Sequence, residues 1–262
     1  PLREQEGMCY TCHDADGPAA SDIQSAFAAA YHHDVSAVDQ ASGSHVECID
    51  CHNPHTASAA SPLANPDAGG ATQWTGTGEA FCLTCHDGTA PPGVAFPATA
   101  SGSGYDKSTF VGSRHAVQLG SDSCRQCHNA HGSQYRSMLG ARYVTADYNP
   151  YTPGDGDYGA CWTCHSENAI VQGNNAFGNL HKEHVDKKKA PCIVCHDAHA
   201  PFDAGEQGLI SLDFAVRNGY DISFIDGRDG STAFWIDAGQ NVGNCFLRCH
   251  GEQHQPKSYN RP

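Results

Sequence analysis

Hydrophobic positions are sparse along the chain and form few regular patterns. Hydrophobic residues make up 39% of the sequence, and the mean hydropathy is −0.49. The clearest helical segment is IQSAFAAAYHH, where Ser21 and Gln24 form a capping-box pattern and the helix is predicted to end near His32 and His33. A shorter helix is predicted over residues 175–187.

One segment alternates apolar and polar residues. Residues 221–237 read DISFIDGRDGSTAFWID, with a Gly/Asp turn at the centre, and predict a β-hairpin. The Gly/Asp segments at Asp155 and Asp226 are candidates for Ca²⁺ binding, although ordinary turns are the favoured interpretation. The remainder, with many of the 28 glycines and 14 prolines, is predicted to form loops. The fold class expected is therefore a mostly irregular chain with a few short α-helices and a small β-hairpin.

The cysteines follow a pattern of their own. All fourteen occur in seven copies of one motif, six of which read Cys-x-x-Cys-His. The seventh reads CFLRCH and has one extra residue between its cysteines. The cysteines are, in order, Cys9 and Cys12, Cys48 and Cys51, Cys82 and Cys85, Cys124 and Cys127, Cys161 and Cys164, Cys192 and Cys195, and Cys245 and Cys249. The histidines that close the motifs are His13, His52, His86, His128, His165, His196 and His250.

This spacing indicates covalent haem attachment. Two thiols on a short turn add to the two vinyl groups of one haem, and the adjacent histidine reaches the iron as its proximal ligand. Zinc sites would need cysteine pairs to meet in fours and would not require a histidine after every second cysteine. A redox Cys-x-x-Cys would normally occur once, in a thioredoxin-like pattern. We therefore expect seven covalently bound haem c groups that replace a conventional core, and we expect the haem-free chain not to fold.

The remaining histidines are sufficient to supply a second axial ligand to every iron. The chain has only two methionines, Met8 and Met138, so histidine is expected at both axial positions, which gives low reduction potentials compared with His/Met ligation. The candidates are His32, His33, His45, His55, His115, His131, His181, His184, His199 and His254.

The motifs are of two kinds that alternate along the chain. Three are followed by another histidine three residues later, and four lie beside an aromatic residue. Over about residues 45–250, this pattern resembles the doubled-CxxCH family of multihaem cytochromes, from which it departs at CFLRCH. The apolar residue between the paired motifs is Leu63, Met138 with Leu139, or Leu209 with Ile210. The repeat predicts a single-haem segment at 1–44 and two-haem units at 45–90, 91–170 and 171–262.

The resemblance implies which histidine serves which haem. The second histidine of each CxxCHxxH is expected to reach the next haem, so His55, His131 and His199 would serve the motifs at 82–86, 161–165 and 245–250. An upstream histidine would serve the first haem of each pair: His115 for 124–128, His184 or its alternate His181 for 192–196, and His32, His33 or His45 for 48–52. The haem at 9–13 would take His32 or His33, or a ligand from another copy of the chain. His254 is the natural donor in that case, and an ordinary surface histidine is its alternative interpretation.

Charge and targeting restrict the partners. The formal net charge of −14 argues against nucleic acid and favours basic redox partners or external acceptors. The sequence contains no run of about 18 apolar residues, so no membrane span is predicted. Because c-type haem is attached on the far side of the cytoplasmic membrane, we expect an export signal to have been removed. An extracellular or cell-surface location follows, with the periplasm as the alternative.

These features favour electron transfer over catalysis. With histidine on both sides of every iron, no position is open to substrate, and no CxxCK motif marks a catalytic haem. The unpaired first motif favours head-to-tail association with other copies into a filament similar to extracellular cytochrome nanowires. The alternatives are a soluble periplasmic or surface carrier, a surface protein that stores electrons, and a multihaem reductase with one open iron, for which CFLRCH is the best candidate.

Overall fold

The structure is a computed structural model, and it divides the chain into two compact units. The first unit comprises residues 1–111 and 115–140, and the second comprises 112–114 and 141–262. The four segments predicted from the repeat stay a prediction. The structure describes residues 5–35, 46–58, 60–88, 107–172, 180–199, 210, 212, 215, 219–224, 235–239 and 242–260.

The helices of the described ranges are short. The α-helices are α1 (Gln5–His13), α2 (Ile23–Phe27), α3 (Cys48–Cys51), α4 (Gly78–Leu83), α5 (Arg114–Leu119) and α6 (Gly159–Trp162). Turns of 3₁₀-helix lie at Pro66–Ala68, Ser108–Gly112, Gly120–Asp122, Cys124–Gln126, Arg136–Met138 and Cys192–Val194, and π-helical turns at Asn168–Gln172 and Lys182–Lys187. Of the predicted helix at 175–187, residues 180–187 are helical, and the rest lies outside the described residues.

The helix predicted after Ser21 is present but shorter than expected. Its N-cap is Asp22, whose side chain accepts a hydrogen bond from the backbone N–H of Ser25 at 2.9 Å, so the predicted cap at Ser21 is wrong. The helix ends at Phe27 rather than near His33. The physical reason is a distant backbone pairing, because Tyr31 and Ser133 exchange N–H···O bonds of 3.0 and 2.8 Å that extended backbone can make and a continuing helix cannot.

The strands of the described residues form a small antiparallel sheet in which the two longest strands pair with each other. Its strands are β1 (Ile222–Phe224), β2 (Trp235–Gly239), β3 (Val242–Cys249) and β4 (Glu252–Asn260). β3 and β4 form a hairpin whose two turn residues, His250 and Gly251, both have positive φ, 47° and 78°. β1 pairs with the end of β3, where Ile222 lies opposite Cys249. β2 pairs with the earlier part of β3, where Trp235 lies opposite Cys245.

The prediction of a hairpin at 221–237 is therefore wrong in its pairing, because β1 and β2 both pair with β3. Both ends of the segment are strands, but the long edge of β3 takes up their backbone groups, and residues 225–234 lie outside the described part. The predicted fold class is confirmed: a few short helices, a small antiparallel sheet and much irregular chain.

Buried apolar side chains cluster in the second unit. One cluster comprises Tyr151, Tyr158, Val171 and Val185. A smaller cluster comprises Ala190, Val194 and Ala215. None of the helices in the described ranges is both long and apolar enough to cross a bilayer.

Candidate haem-attachment sites

Five of the seven motifs share one backbone bond. In each, the N–H of the closing histidine donates to the carbonyl of the first cysteine, four residues earlier, which closes a helical turn. The bonds join His52 to Cys48 (2.9 Å), His86 to Cys82 (3.0 Å), His128 to Cys124 (3.0 Å), His165 to Cys161 (2.9 Å) and His196 to Cys192 (2.9 Å). The motif at 9–13 lies within α1. Residues three apart on a helical turn are neighbours, so in these six motifs both thiols lie on one side of the turn.

In two of these six motifs, a backbone carbonyl orients the ring of the closing histidine. Nδ1 of His52 donates to the carbonyl of Pro62 at 2.9 Å, and Nδ1 of His128 donates to that of Ser137 at 2.8 Å. A proton on Nδ1 leaves the lone pair on Nε2, the arrangement that metal-binding histidines usually have. Apolar side chains beside the cysteines are exposed, Met8 at 64% and Ile49 at 47%, and a haem disc would cover such surface. The residues of these motifs therefore fit haem c.

Thiols of consecutive motifs lie next to one another. Burial and a hydrogen bond with the thiol of Cys9 are among the causes that raise the pKa of Cys48 to about 12. In the same unit, a hydrogen bond with the thiol of Cys124, together with burial, raises the pKa of Cys82. In the second unit, burial and the nearby Cys245 raise the pKa of Cys195 to about 12. Motifs that are neighbours in sequence are thus neighbours in space within each unit.

Three closing histidines have a second histidine at the distance expected across a metal. Two imidazoles that bind one metal from opposite sides, each through a bond of about 2 Å, have ring centroids roughly 6 Å apart. The observed centroid distances are 6.0 Å for His52 and His131, 6.3 Å for His33 and His86, and 6.1 Å for His181 and His196.

The protonation of two of these partners suits metal binding. Burial and nearby histidines lower the pKa of His131, and burial lowers that of His181 to about 4. Both rings are therefore neutral at pH 7, as a metal ligand requires.

These partners differ from those that the repeat predicted. His131 was expected at the motif 161–165 and lies instead beside His52. His33, not His55, lies beside His86, and the alternate His181, not His184, lies beside His196. In the first unit the cause is again the long-range pairing, since Nδ1 of His33 also bonds to the carbonyl of Ala130 at 2.8 Å.

The other candidate ligands are distributed as follows. Nδ1 of His32 bonds to the carbonyl of Ala29 at 2.7 Å, and the ring of His184 lies 6.3 Å from that of His254. His13 ends α1, and His115 lies on α5. The backbone N–H groups of His55 and His199 are held by the side chains of Asn53 and Asp197. His45 lies outside the described residues.

The seventh motif is built differently. Cys245 and Cys249 lie in β3, where four residues of strand place both on one face but separate their Cα atoms by roughly 13 Å. The N–H of His250 donates to the carbonyl of Asp221 at 2.9 Å instead of to the first cysteine. In this conformation the motif does not present the two-thiol turn that the other six share.

Side chains that the motif pattern does not reveal surround His250. Its Nδ1 bonds to the carbonyl of Lys188 at 2.6 Å and its Nε2 to Oδ1 of Asp147 at 2.7 Å, and its ring stacks on Tyr148 with centroids 4.2 Å apart. Asp147 and Tyr148 belong to no recognisable motif, so the sequence offers no signal for this role.

The carboxylate of Asp155, a candidate calcium ligand, binds backbone groups of its own turn. Its carboxylate accepts the backbone N–H groups of Thr152 and Asp157 at 3.2 and 2.9 Å. The carboxylate of Asp157 is bound by Arg142 at 2.8 Å. These bonds are those of an ordinary Gly/Asp turn. Asp226 lies outside the described residues.

One protein-family model, described as the doubled CXXCH motif, matches residues 41–91 and 115–170, together less than half of the chain. The matched segments contain the motifs at 48–52, 82–86, 124–128 and 161–165. The match supports a multihaem c-type cytochrome. Such cytochromes hold haem c covalently through CXXCH motifs and commonly serve in electron transfer, although some are enzymes. No curated protein and no solved structure shows significant similarity to the chain.

Proposed function

We propose that this multihaem cytochrome binds seven haem c groups and carries electrons in extracellular electron transfer, assembling head to tail into a conductive filament. The observation that carries the proposal is the contact between thiols of consecutive motifs, Cys9 with Cys48 and Cys82 with Cys124. Neighbouring thiols would bring the haem at 9–13 close to the one at 48–52, and the haem at 82–86 close to the one at 124–128. Haem c supplies a reversible one-electron couple at each site.

At three motifs, the positions of the histidines support an iron that is closed to substrate. The helical turns fix both thiols, and backbone carbonyls such as that of Pro62 orient the proximal ring. A second histidine at about 6 Å, as for His52 and His131, supports two imidazoles on one iron. An iron with two protein ligands exchanges electrons without binding substrate.

Haem content and spin state test the electron-transfer role. Intact mass should show seven covalent haems, and low-temperature EPR of the oxidised protein should show low-spin iron only. A high-spin signal that persists at all protein concentrations would contradict it, and rapid binding of cyanide to one iron would favour a reductase. That alternative has one specific observation behind it, the unusual surroundings of His250.

Electron microscopy tests the filament. The expected result is unbranched fibres whose length grows with protein concentration, because a contact between different faces of identical copies that does not close propagates. Monodisperse single chains across salt and pH would refute assembly and leave a soluble periplasmic or surface carrier.

A further inference from the structure

Two segments that are distant in sequence cross in the first unit. One is the end of α2 with the residues that follow it, 26–33, and the other is 130–133, which follows the motif at 124–128. The backbones of Tyr31 and Ser133 exchange N–H···O bonds of 3.0 and 2.8 Å and form an isolated antiparallel bridge. Each segment carries a histidine close to this bridge, His33 in the first and His131 in the second.

Each of these histidines is held by the other segment. Nδ1 of His33 donates to the carbonyl of Ala130 at 2.8 Å, which leaves the lone pair on Nε2. The ring of His131 packs edge-on against Phe27, with centroids 5.6 Å apart and 68° between the ring planes. The positions of both imidazoles therefore depend on the crossing.

The two histidines lie beside the closing histidines of two different motifs. His33 lies 6.3 Å from His86, and His131 lies 6.0 Å from His52, measured between ring centroids. The motifs at 48–52 and 82–86 are consecutive along the chain. One crossing thus places the second imidazole at two consecutive haem sites.

Gly132 is the residue that lets the two segments come so close. Its φ is 143°, which residues with a side chain rarely adopt. A Cβ on Gly132 would overlap the carbonyl oxygen of Ala26 and lie 3.2 Å from the Cβ of His32. In the other two CxxCHxxH motifs the corresponding residues are Thr56 and Ala200, so the glycine distinguishes the one motif at which this crossing occurs.

We propose that Gly132 is a positioning residue for two irons at once, because it admits the segment 26–33 and so fixes both His33 and His131 as second axial ligands. The proposal rests on the proposed function, since it requires haem at both motifs. It makes the ligation of two consecutive haems, and hence their reduction potentials, depend on a single backbone contact rather than on two separate ones.

Haem content and low-temperature EPR of the haem-bound protein test the proposal. Gly132→Ala should keep seven covalent haems, because the thiols attach within their own motifs, and should convert two of them to high-spin. His33→Ala and His131→Ala should each convert one. Gly140→Ala is the matched control, because a Cβ there meets the carbonyl oxygen of Cys127 at an ordinary 3.7 Å, and it should leave every haem low-spin.

A combination of variants separates positioning from loss of folding. His33→Ala/His131→Ala should show two high-spin haems, and adding Gly132→Ala should produce no more, because the glycine acts through these two ligands. The proposal is overturned if Gly132→Ala gives any number of high-spin haems other than two, if the double variant gives fewer than two, or if the triple variant gives a third. Fewer than seven haems in the unmodified chain would instead refute the proposed function, so the two failures are distinguishable.

Discussion

The two compact units bury their apolar side chains in different ways. In the second unit, Tyr158 is 1% exposed and packs edge-on against Tyr143 and Trp162, at the centre of a cluster of aromatic and β-branched residues. In the first unit the buried apolar residues of the described chain are dispersed, and two of the four, Ala64 and Ala116, are alanines that bury little area. Thiols and imidazoles also meet in the first unit, as they do in the second, but without a comparable cluster of buried aromatic residues in the described chain.

This difference indicates that, in the first unit, haem must supply the apolar contacts that side chains supply in the second. Burial of an aromatic side chain contributes a few kcal/mol and an alanine far less, at about 25 cal/mol per Å². The first unit therefore depends on its haems for apolar contact, whereas the second unit has a partial core of its own. The comparison makes predictions that separate the two units.

The largest effect is expected from omitting haem altogether. The chain produced without haem attachment should not reach its native fold: its backbone amides should lose protection throughout the first unit, and only the segments around Tyr151, Tyr158 and Val171 should keep partial protection. Hydrogen exchange followed by mass spectrometry, with the haem-bound protein as control, measures this difference. Equal protection in both units would show that the two units depend on haem to the same extent.

A second test removes the centre of the tyrosine cluster. Tyr158→Ala in the haem-bound protein should lower the free energy of unfolding of the second unit by about 3 to 5 kcal/mol, because it deletes a fully buried aromatic ring. Denaturant titration monitored by tryptophan fluorescence and by haem absorbance should show the effect. Tyr158→Phe, which keeps the ring, is the matched control and should cost about 1 kcal/mol. A loss below the control value would show that haem contacts dominate this unit too.

A smaller loss is expected at the ion pair beside that cluster. Arg142 binds Oδ1 of Asp157 at 2.8 Å, and the Asp157 side chain is 7% exposed while that of Arg142 is 56% exposed. Arg142→Ala should cost about 1 to 2 kcal/mol, because the carboxylate keeps its bond from Asn149 but loses its charged partner. Arg142→Lys should recover part of the loss. No change in the denaturation midpoint would contradict the pairing.

His131→Ala is expected to have the smallest effect on folding, but it should change the spin state of one haem in the first unit. If His131 and His52 share an iron, one haem becomes high-spin while haem content and thermal unfolding stay close to those of the unmodified protein. EPR and resonance Raman spectroscopy measure the change, with His55→Ala as control. A high-spin haem assigned to the motif at 161–165 instead would restore the pairing predicted from the repeat.

The motif positions and the fold class could be predicted from the sequence because both are local. Spacing alone places Cys124 and Cys127 on one turn, and a low apolar content excludes a large core. In the first unit, partner choice could not be predicted, because it depends on contacts between residues about 100 positions apart. The backbone pairing of Tyr31 with Ser133 brings His33 and His131 into the first unit's sites and also ends α2 early. The binding of His250 by Asp147 is equally distant in sequence.

The hydrogen-bonded thiols of Cys82 and Cys124 have a consequence for biosynthesis. If these thiols met before they were joined to haem, an oxidant in the compartment would link them as a disulfide, with two electrons and two protons passing to the oxidant. Both sulfurs would then be lost to haem, and two different motifs would be disabled by one cross-link. Thiols that lie this close together must therefore react with haem before they react with each other. A thiol reductant is needed until the last vinyl group has reacted.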